Sequence, residues 1–144
     1  MSADEVKYDR RRALAFGTLS VLKPLYSYKL PNVLGKSTVT LLVKFPPNGS
    51  SSPHRHAGAS VAVYVLEGRA VNKMNDGPIR IFEQGQTWFE APGCHHRVCD
   101  NASKTEPATL IATFVVDTEV LDKKGYPGLV EVDEKSQDVT VPLE

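Results

Sequence analysis

Asn48–Gly68 reads NGSSSPHRHAGASVAVYVLEG: a turn-forming stretch, two histidines separated by one residue, and an apolar run that stops at a glutamate and a glycine. On a strand, residues i and i+2 point to the same side. His54 and His56 would therefore present two imidazoles to one face, with Arg55 turned away. A second run, Gly85–Asn101, reads GQTWFEAPGCHHRVCDN and holds His95 and His96, so all four histidines of the chain lie in two short segments. Imidazole is the commonest biological metal ligand. If the fold brings the segments together, the chain has a metal site or a cluster of acid-base groups.

The flanking sequence is written mostly in strands. Leu19–Leu25, Ser37–Phe45, Arg69–Met74, Ile79–Phe82, Thr87–Glu90 and Ala108–Val116 are rich in Val, Ile, Leu, Thr and Phe, and Gly, Pro and Asn punctuate them at short intervals. Asn75-Asp76-Gly77-Pro78 is a hairpin signal. No 3.6-residue pattern of useful length competes. The expectation is an all-β fold, a single antiparallel barrel or jelly roll, over residues 21–120. A polar N-terminal arm (1–20), with a helix around Val6–Phe16, precedes it. The C-terminal extension (121–144) reads as a loop and a loosely packed tail, with a short edge strand at Leu129–Val132.

With 144 residues the chain is long enough for one ordinary core, and its 41% apolar and 24% charged content are globular values. Seventeen basic and seventeen acidic residues cancel, giving a pI near 6.9 and no electrostatic case for nucleic acid or an acidic membrane. The Arg10-Arg11-Arg12 cluster reads as part of a solvated arm. No apolar run approaches the ~18 residues a membrane helix needs, and the first residues lack the apolar core of a secretory signal. Two cysteines, Cys94 and Cys99, suit a reducing compartment. A cytoplasmic protein is the expectation.

The two histidine runs resemble the two signature motifs of the cupin superfamily. The first motif is a glycine, HxH, a glutamate and a closing glycine; the second is a glycine, a proline, a glycine, a histidine and an asparagine. The resemblance extends over roughly residues 35–118. It implies a small single-domain cupin barrel in which His54, His56 and His96 are the metal ligands and the catalytic residues. It also implies a divalent transition metal, Fe²⁺, Zn²⁺, Ni²⁺, Mn²⁺ or Cu²⁺, although the family includes members that bind none. Small cupins commonly pair through their sheets, so a homodimer is expected.

The departures carry weight. The motif-1 glutamate should fall at Ser60 or Val61, and neither has a carboxylate. Ala91 stands at the motif-2 proline position, with Pro92 following, and Asp100 stands at the asparagine position, with Asn101 following. The ligand set is therefore three histidines without an acid. Glu90 is the carboxylate nearest His96 in sequence and would serve as fourth ligand or base if it faced inward; the default for such a strand residue is solvation. His95, by alternation, turns away from His96. Trp88 and Phe89 lie on opposite faces of one strand, and Trp88, Tyr64 and Phe114 are candidate pocket walls. Cys94 reads as an inert thiol, and Cys99 has the wrong parity to face the site with His96.

Two functions follow. One is an enzyme acting on a small organic molecule, dioxygenase-like or an isomerase, lyase or cyclase, with a metal-free acid-base variant. The other is a non-catalytic cupin that holds a small ligand in the same pocket.

Overall fold

The computed structural model describes residues 20–133. The expected helix at Val6–Phe16 and the arginine cluster lie outside them. Among the described residues, ten strands form two five-stranded antiparallel sheets. They are β1 (Val21–Lys29), β2 (Lys36–Phe45), β3 (His54–Arg55), β4 (Ser60–Glu67), β5 (Arg69–Met74), β6 (Arg80–Glu83), β7 (Thr87–Glu90), β8 (His96–Asn101), β9 (Ala108–Asp117) and β10 (Glu131–Val132). One sheet has the order β1-β2-β9-β4-β7 and the other β10-β3-β8-β5-β6. The arrangement is a jelly roll, the all-β architecture expected.

Period-two alternation builds the interior. In β4, Val61, Val63 and Val65 are buried while Ala62, Tyr64 and Leu66 face outward. Each valine so buried contributes roughly 1.5–3 kcal/mol of transfer free energy. Strand register aligns the inward residues of the first sheet into three successive rows. Leu22, Val43, Leu110 and Val65 make the first; Leu41, Ala112, Val63 and Trp88 the second; Val39, Phe114, Val61 and Glu90 the third. Eleven of these twelve residues are apolar. The exception is a carboxylate.

The second sheet departs from simple alternation at one place. Between β5 and β8, Lys73 pairs with Val98 and Met74 with His96, which leaves Arg97 as the extra residue of a β-bulge. The bulge resets parity. His96 and Cys99, three residues apart, both face the interior, whereas Val98 packs on the opposite face against Val71. The expectation that Cys99 faces away from the His96 side is corrected by this one inserted residue.

Between β9 and Asp133 the chain is built rather than a loose tail. Helix α1 (Thr118–Lys124) follows directly, then a 3-10 turn at Tyr126–Leu129, then β10, which pairs with β3. The edge strand is where Leu129–Val132 was expected to supply one. Leu129 itself is fully buried, and Val130 lines the internal cavity. Gly125, at a φ of 65°, makes the break between α1 and the turn. Among the described residues, no helix is long and apolar enough to cross a membrane.

Candidate metal centre

His54 lies on β3, directly opposite His96 on β8. His56 follows β3, where Ala57 and Gly58 take positive φ and turn the chain toward β4. The His54 ring lies 4.7 Å from that of His56 and 5.2 Å from that of His96, between centroids. One nitrogen from each of the three falls within 4.8 Å of the others.

Hydrogen bonds decide which nitrogen that is. His54 Nδ1 is 2.6 Å from the Ser52 carbonyl, and His56 Nδ1 is 2.8 Å from the Leu129 carbonyl. His96 Nε2 is 2.7 Å from Asn72 Oδ1. A carbonyl oxygen only accepts, so each of these ring nitrogens must donate. A neutral imidazole then carries its lone pair on the other nitrogen: Nε2 of His54, Nε2 of His56 and Nδ1 of His96. Outer hydrogen bonds of this kind fix the tautomer and ring orientation of metal-binding histidines.

Glu90 closes the group. Its carboxylate is 2% exposed, with Oε1 3.4 Å from His56 Nε2 and 3.2 Å from His96 Nδ1. The Trp88 indole donates to Oε2 at 3.1 Å, while Oε1 has no hydrogen-bond partner. The expected solvated strand carboxylate is thus a buried one, facing the histidines. Its position explains the missing acid. Val61 is one of the two positions, with Ser60, where the cupin motif's glutamate was expected, and the residue directly across the ladder from Val61 is Glu90. The carboxylate enters from the neighbouring strand.

Burial works against a charged Glu90, but positive charge on the imidazoles of His96 and His56 beside it holds its carboxyl far below the usual range. Burial, followed by the neighbouring His56 and His96, pushes the His54 pKa well below its ordinary value, which outweighs the Ser52 carbonyl and Glu90. Converging lone pairs and a carboxylate oxygen repel one another unless a cation lies among them. A set of three imidazole nitrogens and one carboxylate oxygen suits a divalent transition metal. The donor set fits the group.

The remaining expected residues divide. Phe114 lines the cavity, its ring 5.1 Å from His56, and Trp88 lines it 6.1 Å from His96. Tyr64 does not line it: it is 44% exposed on the outer face of β4, on the parity opposite to Val63. His95 turns away and contacts Asp133 at 2.9 Å. Cys94 is half-buried outside the histidine group, its thiol pKa raised by burial and by Glu90. Sequence reasoning missed Asn72, because a polar residue in a strand gives no sign of its partner. For Glu90 a sign was present: it shares parity with Trp88, the residue expected to face the pocket.

A cavity of about 60 Å³ opens beside the histidines. That is room for roughly four to six waters. Its walls come mostly from the apolar members of the three rows, and Ser20, Ser51 and Ser52 also line it.

The Cupin domain family model matches residues 41–114, just over half of the chain, and the protein belongs to the cupin family. Among solved structures it is similar to oxalate oxidase in complex with the substrate analogue glycolate. There the TM-score is 0.54 at 22% identity, covering 66% of this chain and 50% of that one. It is similar also to the protein TT1209 from Thermus thermophilus, with a TM-score of 0.55 at 19% identity over 77% of this chain and 90% of that one. The Schizosaccharomyces pombe Cnp3 cupin domain gives 0.54 at 15% identity over 89% and 78%. The chain thus spans about half the length of oxalate oxidase. At these identities the likeness is one of fold. No curated protein matches the chain in sequence.

Proposed function

We propose that the protein is a metal-dependent cupin enzyme acting on a small organic molecule, with His54, His56, His96 and Glu90 holding a divalent transition metal at the inner end of an apolar cavity. The observation that carries this reading is the convergence of three lone-pair nitrogens, each fixed by a carbonyl acceptor, on a buried carboxylate oxygen without a hydrogen bond. When bound, the ion supplies Lewis acidity to a substrate oxygen or an open position for a second ligand. The chain supplies the rest. Phe114, packed on His56, and Val61 are apolar walls beside the imidazoles, and Trp88 holds Glu90 in place through Oε2. Oxygenase-like and isomerase, lyase or cyclase chemistry both suit such a site.

Metal analysis of protein purified without chelators tests the reading. About one equivalent is expected, falling sharply in His96→Ala and Glu90→Gln. Less than about a tenth of an equivalent, unaltered by either substitution, would overturn it.

A further inference from the structure

The metal reading leaves the three serines without a role. Ser20 directly precedes β1 and the first apolar row, and its backbone N–H donates to the Ser50 carbonyl at 3.1 Å. Its hydroxyl pairs with that of Ser51 at 3.0 Å. Ser52 differs. Its carbonyl is committed to His54, while its hydroxyl is buried and has no hydrogen-bond partner among the described residues, in a residue that lines the cavity. A buried hydroxyl left unpaired is unfavourable, and the cavity is where a partner can come from.

The walls restrict what that partner is. Leu22, Val43 and Leu110 line the same cavity. Among the described residues no lysine or arginine lines the cavity, and the one carboxylate that does is Glu90, on the histidine side. An anion placed against the serines loses its hydration and meets no countercharge. A neutral oxygen loses far less and gains a hydroxyl.

We propose that Ser52 determines specificity: its hydroxyl binds the uncharged oxygen, carbonyl or hydroxyl, of a compact hydrocarbon-rich molecule whose other end faces His54, His56 and His96. The inference rests on reading this cavity as the substrate site, and extends that reading to a substrate class.

Trp88, the single tryptophan, lines the same cavity and reports occupancy without turnover. The probes are 2-butanone, propionamide and propionate, equal in size and differing at one terminal group. They are titrated at pH 8 against Trp88 emission, on the protein as purified and after chelator treatment. The ranking is read after chelation, where a carboxylate has no ion to coordinate. Both neutral probes should change the emission saturably, with propionate at least about tenfold weaker. Ser52→Ala should weaken the neutral probes about fivefold. Three results would each overturn the proposal: propionate binding as tightly as 2-butanone, unchanged affinity in Ser52→Ala, or emission unmoved by every probe. Metal content of the same samples separates the two readings. Stoichiometric metal without probe discrimination sinks the substrate class alone. Discrimination without metal sinks the metal reading alone and supports the role of Ser52.

Discussion

Each of the three histidines depends on one acceptor, and only Asn72 supplies that acceptor from a side chain. Asn72→Leu removes it at nearly constant volume. His96 then loses the hydrogen bond that fixes its tautomer, and metal affinity should fall about 10–100-fold with all four donors present. Competition with a chromophoric chelator measures it; unchanged affinity would show that packing alone orients His96. The thiols make a second residue-scale case. Burial, with Glu90 and Asp100 nearby, pushes the Cys99 pKa well above its ordinary value, and burial with Glu90 raises that of Cys94. The thiolate is the reactive form. Native protein at pH 7.5 should therefore resist iodoacetamide at both positions, while urea-unfolded protein is alkylated quickly; mass spectrometry after timed quenching decides. At this scale the sequence carried the three histidines because the HxH spacing and the second run each encode a strand face. It carried Glu90 only as a candidate conditional on facing inward, because burial of a carboxylate depends on what surrounds it across the ladder, here Val61 and the Trp88 indole.

The turn joining β4 to β5 shows how an element is held to one geometry. Gly68 has a φ of 75°, and a Cβ there would lie 2.6 Å from the Pro107 carbonyl and 3.0 Å from Ala108 Cα. Both obstacles are backbone and cannot move aside. Gly93 also has positive φ, 81°, but has nothing within 4 Å of a built Cβ. Gly93→Ala should thus cost about 1 kcal/mol from conformation alone, and Gly68→Ala more than about 2 kcal/mol. Urea denaturation of the pair measures the difference, and equal costs would refute the contact argument. The strands themselves were legible, since valine alternation in β4 and the Asn75–Pro78 hairpin signal are local properties. The β8 bulge and the C-terminal clasp were not. One extra residue at Arg97 changes facing without changing composition, and the edge strand expected at Leu129–Val132 does not by itself say that it pairs with β3 or that the Leu129 carbonyl meets His56.

For the whole molecule, the buried His54 and Glu90 make stability depend on pH in one direction. His54 has a folded pKa below its unfolded value of about 6.5, so between the two the unfolded chain binds the extra proton. Its contribution is complete above about pH 6.5 and is lost as pH falls toward the folded value. Glu90 is also depressed, from an unfolded value of about 4.3, and its contribution is lost as pH falls below that. The two shifts add rather than cancel. In the presence of chelator, the melting temperature should be level from about pH 8 to pH 7, begin to fall below pH 6.5, and steepen below pH 4.5. His54→Gln lowers the whole curve, because it removes the hydrogen bond to Ser52, but should flatten the segment between pH 6.5 and 5. Glu90→Gln should leave that segment and flatten the steeper one. The comparison is of slopes, so a general loss of stability in either variant does not disturb it. A variant curve parallel to the wild type through its own segment would show that the group does not titrate differently in the folded chain.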